Sequence, residues 1–309
     1  MDRPIAPGYT VHSGRHIHMD LLRCIKEARP SVLGVHLLRF AAGAAIGAQL
    51  NGRFLMLRAG AGAALWELAI FSIYLLNGIA DIKEDRVNGS RRPIAAGALS
   101  PQTAAWWAAA AALTAVAGAV PLGVPAMVSI LVVLALGWQY SAGPGVLKRR
   151  PAGTAAVGAG LGFLAYFMGF SGQSDISWPH LPAGPLVFFV TMSAWMAFVG
   201  APAKDLPDAP GDAVAKRRTL AVAWGEPAAR RVVAAAALVI AAAFGGTTTL
   251  DPALLDWPAI VLGAGALAIV PVSLGRISAG EWSQPRMPYQ LFMLTQYAVN
   301  LCLLIVIAK

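Results

Sequence analysis

The chain has 309 residues, 57% of them hydrophobic and only 13% charged, with a formal net charge of +9. Soluble domains carry about a quarter charged residues, so this composition excludes an ordinary water-soluble fold and points to lipid as the solvent. The positive charge does not mark a nucleic-acid partner, because Lys and Arg stand in short clusters between apolar runs instead of covering one soluble face.

In chain order, residues 1–28 read as a cytoplasmic tail with an amphipathic helix, and residues 29–309 as one membrane-spanning domain. The opening MDRPIAPGYTVHSGRHIHMD lacks the apolar core of a secretory signal. His12, His16 and His18 within it read as part of a mobile tail and not as a metal cluster. In MDLLRCIKEARP, ending at Pro30, Leu21, Leu22 and Ile25 share a helical face opposite the charges. That pattern suits a helix lying in the membrane interface or a short cap on a bundle. Cys24 and Cys302 are the only cysteines, placed where pairing is not expected and too few for a paired-cysteine metal motif.

Nine apolar runs follow, near 30–50, 62–80, 102–120, 124–142, 152–171, 183–203, 228–248, 257–275 and 289–308. Each approaches the roughly 20 residues that cross a hydrocarbon core of about 30 Å. Helices are the expected spanning element, since lipid satisfies no open backbone group. Small residues, as in GTAAVGAGLG from Gly153 to Gly162, suit close packing in a bundle. Basic residues concentrate in the tail and after the even-numbered runs: Lys83, Arg86, Arg91 and Arg92; Lys148, Arg149 and Arg150; Lys204, Lys216, Arg217 and Arg218; Arg276 and Arg286. The positive-inside bias therefore puts the N-terminus on the cytoplasmic side of the cell or inner membrane, and an odd number of spans puts the C-terminus opposite.

Two acidic clusters interrupt this apolar chain on that same side. NGIADIKEDR places Asn77, Asp81 and Asp85 at four-residue steps, which turn a helix by only about 40° each and so share a face. KDLPDAPGD, from Lys204 to Asp212, follows the sixth run, and each cluster precedes a pair of arginines, in RRPIAAG and RRTLAVAWG. The correspondence reads as a weak internal repeat of a four-helix unit. Carboxylates of this kind favour Mg²⁺, which binds through one or two acids while holding substrate phosphates. Two facing clusters ringed by Lys and Arg suit a diphosphate, and the greasy bundle suits a hydrocarbon tail. The competing readings are surface salt bridges and a transporter, whose acids would sit nearer the bilayer midplane.

On these residues the chain resembles the UbiA superfamily of intramembrane prenyltransferases. NGIADIKED matches the superfamily's N-x3-D-x3-D motif, KDLPDAPGD with RRTLAVAWG is similar to its second aspartate motif, and YSAGPGVLKRRP resembles its tyrosine and basic segment after the fourth helix. EARP, ending at Pro30, resembles the entry to its first helix, and the likeness runs from about Arg29 to the C-terminus. The resemblance implies an all-α integral membrane protein of about nine transmembrane helices, bundled around a lipid-accessible cavity beneath a cytoplasmic polar cap. It implies Mg²⁺ held by Asn77, Asp81 and Asp85 on one side and by Asp208 and Asp212 on the other, with Asp205 an added ligand candidate. Lys148, Lys204, Arg86, Arg91 and Arg149 become candidate diphosphate contacts, with Arg91 and Arg92 equally placed as lipid-headgroup anchors. Asp81, Asp85 and Asp208 would act in ionisation, and Tyr140 would bind phosphate, guard the cation or simply sit at the interface. The implied reaction ionises an allylic prenyl diphosphate and passes the prenyl group to an aromatic or quinone-precursor acceptor; the alternative within the superfamily is a terpene cyclase that needs no acceptor.

Two departures from the family pattern carry expectations of their own. Pro210, with Pro207 and Gly211, argues against a continuous helix through Asp208 and Asp212. Gly78 stands where many relatives carry an acid, which removes one possible ligand.

Overall fold

In a computed structural model the described residues are 13–176, 180–275 and 286–309, with side chains from residue 17 onward. His12, the side chain of His16, and Arg276 lie outside them, while His18 is exposed. Among the described residues there are only helices, and nine are long and apolar enough to span a membrane. The protein is a multi-pass membrane protein.

The amphipathic segment forms α1, Ser13–Glu27. It caps the bundle through Cys24, Glu27 and Ala28, each fully buried, while Met19, Leu22 and Ile25 stay exposed beside that face. The first four spans are α2 (Pro30–Asn51), α3 (Met56–Ala80), α5 (Pro101–Ala119, extended by a 3-10 turn) and α6 (Val124–Ser141), with a short α4 (Ile82–Val87) after α3. Next come α7 (Pro151–Ser171) and a sixth span built from α8 (Ala183–Trp195), a π-helical turn (Met196–Gly200) and α9 (Ala201–Asp205). Two short helices, α10 (Ala209–Val214) and α11 (Leu220–Trp224), lead to the last three spans: α12 (Glu226–Thr247), α13 (Pro252–Ser273) and α14 (Met287–Ile307).

Proline sets where most spans begin. Pro30, Pro101, Pro125, Pro151, Pro227, Pro252 and Pro288 all fall in the first turn of their helices. There the missing N–H has no intrahelical acceptor to lose, and the fixed φ is already helical. Pro202 is different, because it follows the π-helical turn inside the sixth span. The widened turn absorbs the break in the hydrogen-bond ladder and leaves Met196, Gly200, Ala201 and Lys204 on the wall of the central cavity.

Small residues let the helices approach until backbones touch. At the α2–α7 crossing, Gly43 lies against the backbone of Tyr166 and Gly169 against the backbone of Phe40. One apolar cluster, rich in aromatics, joins α7, α8 and α12 to α14 through Tyr166, Phe188, Phe189, Trp195 and Phe292. A second joins α2, α3, α5, α6 and α7 through Phe40, Trp66, Ile70 and Ile130. The cavity opens between these two halves. A Gly43→Val substitution would drive its side chain into the Tyr166 backbone, which cannot rotate away. It should destabilise the protein by about 1–3 kcal/mol, read as a lower unfolding temperature in detergent, whereas Gly60→Ala, with nothing within 4 Å, should leave it unchanged.

Candidate active site

The first acidic cluster straddles a helix junction. Asp81 ends α3 and precedes α4, yet Asp81 N donates to Asn77 O at 2.9 Å and Asp85 N to Asp81 O at 2.8 Å. The four-residue bonding thus continues through the junction, and Asn77, Asp81 and Asp85 all line the cavity together with Glu84 and Asn88. Asn77 Nδ2 donates to Asp81 Oδ2 at 2.9 Å, which fixes that carboxylate.

The second cluster departs from the expectation drawn from its prolines. Asp208 immediately precedes α10, Pro210 sits in its first turn, and Asp212 N donates to Asp208 O at 3.0 Å. Proline here starts a helix, where its missing N–H costs nothing, and Asp208 and Asp212 remain one turn apart. The interruption falls earlier, between Asp205 and Asp208.

Both clusters end in the same backbone turn. Gly89 (φ 61°) and Lys216 (φ 57°) each stand four residues after an aspartate in the left-handed region. The next amides, Ser90 N and Arg217 N, donate back to Asp85 O and Asp212 O, both at 2.8 Å. The following arginines then fold onto those acids: Arg92 Nη1 donates to Asp85 Oδ2 at 2.9 Å, and Arg217 Nη1 pairs with Asp212 Oδ1 at 3.1 Å. The two motifs thus share a backbone turn, each with its own counter-ion. Arg92 is only 8% exposed and also meets Glu27 at 2.8 Å, so it is no headgroup anchor. Glu27 in turn accepts from Ile94 N at 2.9 Å, tying α1 to this layer.

Lys148 and Arg217 occupy the space between the clusters. Lys148 Nζ donates to Asp81 Oδ1 and lies 3.7 Å from Glu84. Arg217 lies 3.6 Å from Glu84 and donates through Nε to Lys148 O at 3.3 Å. Asn88 joins the two halves directly: its Oδ1 accepts from Gly211 N at 2.8 Å, and its Nδ2 donates to Asp208 O at 3.3 Å.

This crowding sorts the carboxylates. Burial alone would raise Asp81, but Lys148, a hydrogen bond from Glu84, and Arg217 outweigh it and hold Asp81 below its ordinary range. Burial and the adjacent Asp81 charge push Glu84 up. Burial also pushes Asp212 up, to about 6, despite Arg217 beside it. Arg217 itself is raised: burial opposes its charge, and Tyr140, Asp205, Asp212 and Asp81 around it prevail. Arg29 has a left-handed backbone (φ 61°) at the entry to α2 and lines the cavity. Burial works against its charge too, but Tyr289, Tyr74, Asp85 and Asp208 raise it.

Of the other residues singled out from the sequence, Tyr140 and Lys204 line the cavity. Lys148 sits buried behind Asp81. Asp205 is 4% exposed and 3.1 Å from Lys204, behind the wall. Arg86, Arg91 and Arg149 are exposed away from the cavity, and Arg86 Nε donates to Ala95 O at 3.2 Å. Glu84, Asn88, Arg29 and the pairings of Arg92 and Arg217 were not anticipated. For Glu84 and Asn88 the signal was available, since they stand seven and eleven residues after Asn77 and so share its helical face.

The cavity encloses about 1170 Å³, its open mouth included, with the acidic layer at one end and apolar walls such as Val32, Ile73, Leu161 and Met293 beyond it. Its donor set suits a hard divalent cation: Glu84 Oε2 and Asp212 Oδ2 are buried without a hydrogen-bond partner. Among the described residues no three acids, histidines or cysteines converge tightly enough to enclose an ion by themselves. An ion bridging these acids would complete its shell with water or phosphate oxygens, as Mg²⁺ commonly does.

The model of the UbiA prenyltransferase family matches residues 37–293. No curated protein matches the chain. Among solved structures, a UbiA homologue from Archaeoglobus fulgidus bound to GPP and Mg²⁺ superposes with a TM-score of 0.69 at 17% identity, covering 93% of this chain and 100% of that one. The apo UbiA homologue from Aeropyrum pernix K1 gives 0.64 at 21% identity, covering 87% and 97%. A digeranylgeranylglyceryl phosphate synthase gives 0.66 at 14% identity, covering 94% and 99%. At these identities the likeness establishes a shared fold.

The raised Asp212 sets a pH dependence in metal-free solution. Between its ordinary value of 3.8 and about 6 the folded protein binds the proton that the unfolded chain has released. Stability should therefore fall as pH rises through that window. Thermal unfolding in detergent with a chelator should show the wild type losing stability relative to Asp212→Asn from pH 4 to pH 6, with the difference constant above it.

Proposed function

The chain belongs to the UbiA prenyltransferase family, and from that membership and the site geometry we propose that it ionises an allylic prenyl diphosphate and transfers the prenyl group to an aromatic or quinone-precursor acceptor. The observation that carries this reading is one cavity with two characters: carboxylates and cations at its mouth, apolar and aromatic walls beyond. A diphosphate needs the first and a hydrocarbon tail needs the second.

Asn77, Asp81 and Asp85 on one side, and Asp208 and Asp212 on the other, would hold Mg²⁺, with Glu84 an added ligand and Asp205 supporting from behind. Bound there, Mg²⁺ would neutralise diphosphate charge as the C–O bond breaks. The GPP and Mg²⁺ bound by the Archaeoglobus fulgidus homologue support both assignments. Lys204 and Arg29 reach the cavity and would contact the phosphate oxygens directly, while Lys148 and Arg217 orient the acids and offset their mutual repulsion. Tyr74, Tyr289 and Phe292 line the cavity, and their aromatic rings would stabilise the allylic cation while excluding water. The distribution of Lys and Arg supports a cap on the cytoplasmic side. Residues 1–28 would form the tail and cap of the domain at 29–309.

Removing one charge-organising group from such a site costs about 100-fold or more in turnover. Asp81→Ala and Asp208→Ala should each slow diphosphate release from a prenyl diphosphate by at least about that factor; near-normal release by either enzyme would remove that residue from the reaction. Incubation with Mg²⁺ and C10 to C20 prenyl diphosphates, without acceptor, separates transfer from cyclisation. The expected outcome is no prenyl-derived product until an aromatic acceptor is added, and then the prenylated acceptor; cyclic products formed without acceptor would assign a cyclase instead.

A further inference from the structure

Behind the first acidic cluster, α1 contributes an acid that lies outside the lining of the cavity. Glu27 ends that helix and is fully buried, whereas Asp85 lines the cavity. Arg92 joins the two, and each of its guanidinium nitrogens has a partner. Its Nε lies 2.8 Å from Glu27 Oε1, and its Nη1 donates to Asp85 Oδ2 at 2.9 Å. Its Nη2 donates to the backbone oxygens of Glu27 and Tyr74 at 3.2 and 3.4 Å. Glu27 Oε2 accepts from Ile94 N at 2.9 Å, which fixes the acid from its other oxygen. Gly78 leaves room for the pair: a Cβ there would strike Glu27 Oε1 and lie 2.7 Å from Arg92 Nη2.

This arrangement has a consequence for charge. A buried guanidinium held by Asp85 alone would cancel that carboxylate and repel a cation approaching it. With Glu27 also against Arg92, the three groups together keep a net negative charge. Arg92 takes only Oδ2 of Asp85, and no hydrogen bond among the described residues reaches its Oδ1. The second cluster is built differently, since Arg217 is shared between Asp212 and Glu84, and Glu84 itself lines the cavity. Glu27, set behind the lining, acts only through Arg92. Taking the metal assignment of Asp85 as its basis, we propose that Glu27 is a positioning residue for the metal-diphosphate site: it neutralises and orients Arg92, so that Asp85 is held by one oxygen and keeps its charge for a divalent cation. The end of α1 thereby sets how tightly the first acidic cluster holds its ion. Groups that orient a metal ligand in this way are worth about 10–100-fold in metal affinity.

The test is binding of geranyl S-thiolodiphosphate, whose C–S bond resists ionisation, to the purified full-length protein in detergent. Calorimetry at rising Mg²⁺ gives the Mg²⁺ concentration at half-saturation and the analogue's affinity once Mg²⁺ saturates. Glu27→Gln isolates the charge, because the amide oxygen still accepts from Ile94 N. It should need about tenfold or more Mg²⁺ for half-saturation, and analogue affinity should return to that of the wild type once Mg²⁺ saturates. A role confined to fastening α1 would lower the unfolding temperature and leave the Mg²⁺ requirement unchanged, and that result overturns the proposal. Arg92→Lys should raise the Mg²⁺ requirement too, because an ammonium does not reproduce the planar fork that reaches both acids. In that background Glu27→Gln should add a smaller factor than it does alone, and fully additive effects would overturn the relay through Arg92. If Glu27→Gln does not fold, Arg92→Lys decides alone: a raised requirement supports the proposal and an unchanged one overturns it. A wild type that binds the analogue without Mg²⁺, or at no Mg²⁺ concentration, would overturn the metal reading and this proposal together. A wild type that needs Mg²⁺, beside a Glu27→Gln enzyme that needs no more, would overturn this proposal and leave the metal reading standing.

Discussion

Charge compensation at the mouth of the cavity is the constraint on which the rest of the structure depends. Asp81, Glu84, Asp205 and Asp212 are all buried within a protein otherwise built for lipid. An unpaired carboxylate in such surroundings would take up a proton or unfold the segment around it. Lys148 and Arg217 oppose this by standing between the two acidic clusters, each touching acids from the first, with Arg217 also pairing to the second; they hold Asp81 down, while Glu84 and Asp212 are still pushed up. The pairing draws together the α3–α4 junction, the loop before α7 and the segment after α9. Those three segments close the cavity at one end.

The apolar bundle below exists in a form that serves this layer. Prolines in the first turn of most spans fix where helices begin, and so fix which loops reach the cap. Gly43 and Gly169 bring α2 and α7 into backbone contact, with Arg29 at the entry to α2 and Arg39 within it, both lining the cavity. The π-helical turn of the sixth span turns Lys204 inward. Dry walls then strengthen every charge interaction at the mouth, because the effective dielectric there is far below that of water.

Much of this was legible in the sequence, and the parts that were not have a common cause. Nine apolar runs of spanning length are visible as composition, and each becomes a helix because lipid permits nothing else. The Asn77–Asp81–Asp85 stripe is visible as periodicity. The second cluster was misjudged because proline was taken for a breaker, when its effect depends on where the helix starts, and the start is set by tertiary context at Asp208. Arg86, Arg91 and Arg149 look equivalent to Arg92 and Arg217 in a list of charges. Only the left-handed turns at Gly89 and Lys216 decide which arginines fold inward. Arg39 sits in an apolar run where one charge raises no alarm, and its lack of an ion pair among the described residues becomes evident only in three dimensions.

The Asn88 amide has a consequence for how the chain assembles. It joins Gly211 and Asp208 across more than a third of the sequence, with 120 residues separating Asn88 from Asp208. A contact of that span forms only after the intervening helices have been inserted and the ends of a long loop have met. Until then the first acidic cluster has no second half, and its charges remain in the aqueous phase beside the membrane. The polar cap therefore closes no earlier than the sixth span is in place. The nascent chain never has to carry its unpaired acids into lipid, because the cations that neutralise them arrive with the segments that bury them.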